Sequence, residues 1–138
     1  MIKVDEILRT EEAKENYLKA LIRVSKSDHV IKESEKQYFY AAAQSLGMKE
    51  EGIRSLDECW GDVDIKITFS TKREGVFTIM QIIQLCWVDG EYIDVEKDEV
   101  RKIAMELSIS SDSVEKIEGW VLRGMEWTLE GDKLLDLQ

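Results

Sequence analysis

Proline is absent from the chain, and histidine occurs once, as His29. Proline kinks or stops a helix because it lacks an N–H and clashes with the preceding turn. Its absence suits a chain made mostly of uninterrupted helices. A single histidine excludes a histidine-rich metal site. Cysteine is scarce too: Cys59 and Cys86 each lie in an apolar helical pattern and share no metal-like spacing. A thiol in that setting is a small hydrophobe. No apolar run follows Met1, so a reduced, cytoplasmic home is the simplest expectation. Positive charge is the next shortage. Lys and Arg number 19 against 29 Asp and Glu, a formal net charge of −10. Phosphate backbones and anionic lipid both call for cationic side chains, so no nucleic-acid partner is expected. Long apolar runs are missing as well. Val76–Val88 spans thirteen residues and is interrupted only by Thr78, Gln81 and Gln84. A bilayer crossing needs about twenty, so direct membrane insertion is not expected.

What is present describes a globular chain. Apolar residues make up 43% and charged residues 35% of 138 residues. That length fits one domain, residues 1–138, with a core that needs neither disulfide nor metal. The Val76–Val88 stretch is apolar nearly all round, which marks a buried helix. Thr71 and Glu74 form a Thr-x-x-Glu capping pair at its start. Thr10, before Glu11 and Glu12, is placed to cap an earlier helix running to about Lys26. Further helices are expected to about Leu46, over roughly residues 50–60 and 95–107, and after a Ser110 or Ser111 cap. Residues 2–9 form a short helix or an arm. Val63, Ile65, Ile67 and Phe69 alternate with polar residues at the strand period. A lone strand lacks a partner, so this segment is read as an extended linker with its apolar side turned inward. Trp60, Trp87, Trp120 and Trp127 are read as core or groove-lining. Trp127 and Leu129 are the ones placed to form an exposed strip for a partner.

The chain repeats itself at an offset of 61 residues. Asp28 falls on Asp89, Glu35 on Glu96, Ile22 on Ile83, Ala43 on Ala104 and Leu46 on Leu107. The unit is helix, acidic turn, helix, short turn, helix, over roughly residues 17–60 and 78–121. The expected fold is therefore all-α: a single domain of about six to seven helices, built from two pseudo-symmetric repeats around a buried central helix.

Each repeat carries an Asp with a Glu seven positions later. The structural role of such a pair is to accept backbone N–H bonds in the turn and at the next helix N-terminus. Such a contact contributes about 0.3–1 kcal/mol. The alternative role is to hold a hard cation, Ca²⁺ or Mg²⁺, through carboxylate and carbonyl oxygens. The second copy is the richer, with Asp89, Glu91, Asp94, Glu96, Asp98 and Glu99, whereas the first has Asp28, Glu33 and Glu35 with Lys32 among them. The candidate metal ligands are thus Asp89, Glu91, Asp94 and Glu96, then Asp28 and Glu35. The spacing is not that of an EF-hand, because Ile93 and Asp94 stand where that loop needs an oxygen ligand and a Gly. No nucleophile with a base partner, phosphate-cradling Gly loop or zinc pattern is present, so an enzyme is not expected. His29 reads as a solvated loop residue, and no cofactor beyond a Ca²⁺ or Mg²⁺ ion is implied.

The turns Asp28–Glu35 (Asp-His-Val-Ile-Lys-Glu-Ser-Glu) and Asp89–Glu96 (Asp-Gly-Glu-Tyr-Ile-Asp-Val-Glu) resemble those of tellurite-resistance TerB-like domains. The typical turn there reads Asp-Gly-x-Ile-x-x-x-Glu, followed by a helix ending in Leu-Gly-hydrophobic. Leu46-Gly47-Met48 matches that ending, and Leu107-Ser108-Ile109 matches it apart from the Gly. The resemblance covers roughly residues 15–125. It implies a bacterial all-α domain of about seven helices, with acidic clusters proposed to bind metal. It also implies a setting in stress response or scaffolding with a protein partner, and no established enzymatic activity. The matching positions are Asp28, Glu35, Asp89, Gly90 and Glu96. His29 in place of Gly is expected to make the first turn less able to adopt positive φ. Tyr92 replaces the usual aliphatic residue but is expected to bury its ring.

Overall fold

The computed structural model describes residues 4–88 and 91–137, and every regular element among them is helical. The order is α1 (Val4–Ile7), α2 (Glu11–Ser25), α3 (Glu33–Ser45), α4 (Glu50–Asp57), a 3-10 turn (Glu58–Gly61), α5 (Lys72–Val88), α6 (Asp94–Glu106) and α7 (Ser111–Leu134). No helix among these residues is long and apolar enough to cross a membrane.

Local chemistry sets the helix starts. The Thr10 hydroxyl accepts the Ala13 N–H at 3.0 Å. At α5 the Thr71 hydroxyl accepts the Glu74 N–H at 3.2 Å, and the Glu74 carboxylate accepts the Thr71 N–H at 2.9 Å, a complete capping box. The Ser110 hydroxyl accepts the Ser113 N–H and opens α7. The 61-residue offset recurs in these boundaries. α2, α3 and α4 start at 11, 33 and 50; α5, α6 and α7 start at 72, 94 and 111. It recurs at helix ends too. Gly47 after α3 has φ +72 and Ser108 after α6 has φ 59. Met48 N–H donates to Ala43 O at 3.2 Å, and Ile109 N–H to Ala104 O at 2.8 Å, the 6→1 bond of a Schellman end in both places.

Packing does not copy itself in the same way. α2 contacts α3, α4, α5 and α6, whereas α5 contacts α1, α2, α6 and α7. The counterpart of the α2–α6 packing, α3 on α5, is at most marginal. The core is therefore shared between two helices rather than centred on α5 alone. α2 buries Leu18, Leu21 and Ile22, and α5 buries Phe77, Ile79, Ile82, Ile83 and Cys86. Each such side chain contributes about 1.5–3 kcal/mol, more than a helix cap at about 1 kcal/mol. Burial decides the fold; caps decide where each helix begins.

Several elements differ from the sequence reading. The helix expected over residues 50–60 is α-helical only to Asp57 and tightens into the 3-10 turn, which tucks Trp60 under Phe39 at a ring distance of 5.9 Å. The last helix continues unbroken through Gly131 to Leu134. Trp120, 44% exposed, lines a groove on the outer side of α7, and Trp127, 77% exposed, lies where α7 has run past the helices it packs against, as the exposed strip expected at Trp127 and Leu129 requires.

The linker between the two triplets is extended and unpaired with any strand. Ile65 and Ile67 are buried as their alternation requires, but Val63 is fully exposed. The first residues after Gly61 have not yet reached the helix surface. Two polar side chains of α2 and its C-cap residue Lys26 hold the linker instead of a partner strand. Asn16 Oδ1 accepts the Thr68 N–H at 3.0 Å. Arg23 Nη1 donates to Ile65 O at 3.2 Å, and Lys26 Nζ donates to Asp62 O. Buried backbone groups left without a partner are costly, and α2 supplies partners along the crossing.

Candidate functional site

The two acidic turns, far apart in sequence, line one cleft. Its volume is about 410 Å³, and its walls include Asp28, Glu35, Glu91 and Glu96, with Lys32 and the serines Ser25, Ser27 and Ser34. The end of α2 delivers the first turn, and α6 packs on α2, so its N-terminus arrives beside it.

Three of the four carboxylates have a structural duty. Asp28 Oδ1 accepts the Val30 N–H at 3.0 Å, an Asx turn. Glu35 Oε1 accepts the Lys32 N–H at 3.1 Å, and Glu96 Oε1 accepts the Ile93 N–H at 3.0 Å. These are the same half of a capping box, 61 residues apart. The N-cap side chains are Lys and Ile, which offer no oxygen to complete it. Glu91 is exposed and lines the cleft without a structural bond of this kind. Asp94 does not line the cleft; its side chain is 98% exposed and lies 4.0 Å from Lys97. Asp89 and Gly90 lie outside the described residues. Among the described residues no three of His, Cys, Asp or Glu converge as metal ligands. The cleft can thus present negative charge to a visitor, with Lys32 as the one cation among its described lining residues.

The first turn departs from expectation at His29. It adopts φ 63, the left-handed region that favours glycine. The side chain tolerates it because it is exposed, and the His29 N–H donates to Lys26 O at 3.0 Å. In the second turn Tyr92 buries its ring as expected, 6.4 Å from Trp87, with Lys97 Nζ 5.5 Å above it.

Two arginines tie α6 to its neighbours. Arg23 of α2 reaches Glu99 at 2.9 Å and Glu106 at 2.8 Å. Burial works against the guanidinium charge, but its hydrogen bonds to Glu106 and Glu99 outweigh that and raise its pKa. Arg101 grips Glu118 of α7 with two bonds of 2.9 and 2.7 Å. Burial would raise the Glu118 pKa, but the doubly bonded Arg101 guanidinium outweighs that and holds it below the ordinary range. Burial and the nearby Asp62 push the Cys59 thiol up, away from thiolate reactivity. Sequence reasoning did not single out Asn16, Arg23 or Lys26. Their signal was present: polar residues seven and then three apart on a helix that is otherwise apolar on that side.

Comparison of the chain with family models, curated proteins and solved structures finds no match in any of the three.

Proposed function

We propose that the chain is a non-enzymatic TerB-like module of bacterial stress response or scaffolding, cytoplasmic, which binds a protein partner through its acidic surface. One observation carries this reading: Asp28, Glu35, Glu91 and Glu96 line a common cleft although they come from two separate turns. The net charge of −10 favours a basic partner segment over any anionic one. The motif residues Asp28, Glu35 and Glu96 support the family resemblance. Their role as cap and turn acceptors explains why the Asp-to-Glu spacing is held even where the intervening residues differ.

The test is capture of partners from a bacterial lysate at low and high salt, with the tag at either end. Asp28→Asn with Glu91→Gln removes charge while keeping an oxygen at each position. The expected result is partners held by the parent at low salt, released by salt and missing from the double variant. A partner set unchanged by both salt and substitution would overturn the acidic-surface reading.

The second reading is a divalent-cation site of Ca²⁺ or Mg²⁺ at the same cleft, favoured by the four carboxylates that line it beside Lys32. It predicts a melting temperature that climbs with cation concentration as RT ln(1 + [L]/Kd). Glu91→Gln is the sharper variant, since Glu96 also caps α6. A flat melting temperature in millimolar Ca²⁺, Mg²⁺ and Mn²⁺ would remove the cation reading and leave the partner reading in place.

A further inference from the structure

The last turns of α7, beyond Met125, pack against nothing in the fold. Every residue from Glu126 to Leu137 is exposed. Along α7 from Trp120 on, Trp120, Gly124, Trp127, Gly131 and Leu134 follow one another at spacings of four, three, four and three, the seam of a heptad repeat. Gly124 and Gly131 alternate in that seam with Trp120, Trp127 and Leu134. A glycine inside a helix costs about 1 kcal/mol relative to alanine. Nothing in the monomer asks for that cost here: a Cβ at Gly124 or Gly131 would meet no atom within 4 Å. A groove of about 440 Å³ lies over Gly124, between Trp120, Arg123, Thr128 and Gln84 of α5.

We propose that this stripe is the antiparallel homodimer interface of the chain, each tryptophan of one copy seating over a glycine of the other. Packing the seam antiparallel sets Gly124 against the second copy's Trp127, and Trp120 against the second copy's Gly131. Each contact occurs twice by symmetry, as an isologous interface requires. In that register Arg123 flanks the second copy's Glu130, so opposite charges meet on both sides. A parallel pairing would set glycine on glycine and tryptophan on tryptophan, leaving voids in one layer and crowding in the next. Trp120, Trp127, Leu134 and Leu135 are 44%, 77%, 63% and 83% exposed. Together they offer about 600 Å² before backbone and flanking charges are counted, against about 800 Å² per partner in a stable interface. A second copy is the occupant because the stripe carries both the knobs and the holes. A lipid surface fits poorly, since Glu126, Glu130, Asp132 and Asp136 outnumber Arg123 and Lys133 on the same segment.

Sedimentation of the full chain over a concentration series tests this. The expected species has twice the 16.0 kDa chain mass. Trp127→Ala and Arg123→Glu should each raise the dissociation constant at least about tenfold. Arg123→Glu combined with Glu130→Arg should return it to within about threefold of the parent. Gly124→Leu should keep the monomer folded, by circular dichroism and melting, while abolishing the dimer. A 16.0 kDa species up to roughly 0.5 mM would overturn the proposal. So would a dimer indifferent to Arg123→Glu, or sedimentation with neutral or anionic vesicles in place of self-association.

Discussion

Single side chains carry unequal loads in this protein, and their surroundings decide how much. Arg23 and Arg54 both make ion pairs at 2.8–2.9 Å, yet the Arg23 side chain is 12% exposed and Arg54 is 75% exposed. An exposed pair contributes at most a few tenths of a kcal/mol, whereas breaking a shielded one strands its partners. Arg23→Ala is expected to destabilise by about 2 kcal/mol, because Glu99 and the Ile65 carbonyl lose their donor together. Arg54→Ala should stay within about 0.5 kcal/mol by urea unfolding. Equal effects for the two would contradict the linker-clamp role of Arg23. Backbone strain makes an opposite prediction at His29 and Ser108, which hold φ 63 and 59 without being glycine. His29→Gly and Ser108→Gly should each stabilise by about 0.5–1 kcal/mol, the relief of the left-handed strain less glycine's greater freedom when unfolded. A lowered melting temperature in both would show that their side chains matter more than their backbones. Gly47 occupies the position equivalent to Ser108, and Gly47→Ala should cost about 1 kcal/mol.

Helix ends and helix pairs make up the next scale. Glu35 and Glu96 each cap a helix through one oxygen, at 3.1 and 3.0 Å. Glu96→Gln keeps an acceptor and should be nearly silent in the absence of cation, while Glu96→Ala should cost about 1 kcal/mol. The pair α6–α7 is strapped by Arg101 and Glu118, and that strap gives a pH dependence. The Glu118 pKa is lowered in the folded protein. Its contribution is therefore fully present above the unfolded glutamate value of about 4.3, and it is lost as pH falls through the lower native value. Acid unfolding followed by circular dichroism should show this loss, and Arg101→Gln should flatten the curve in that window. An unchanged acid limb in Arg101→Gln would exclude the strap as its source.

For the molecule as a whole, most of the fold was legible in sequence because its signals are local. Thr10, Thr71 and Ser110 mark helix starts through a hydroxyl within three residues of its N–H partner. Gly47 marks a helix end for the same local reason. The all-helical class follows from apolar spacing and the absence of proline. The exposed end of α7 was only half legible. The apolar residues of a heptad stripe read the same whether the neighbouring helix belongs to the chain or to another molecule. Length decides it, since α7 outruns the helices that could cover it.

The acidic cleft divides in the same way. Sequence alone determined that an Asp and a Glu recur seven apart in two turns, because turn and cap hydrogen bonds span only two or three residues. Only the tertiary structure decided that Asp28, Glu35, Glu91 and Glu96 line one cleft while Asp94 stands outside it. That outcome depends on where α6 lands on α2, and Arg23 between Glu99 and Glu106 ties the two helices together there. Contacts across 76 and 83 residues leave no spacing in the sequence to read.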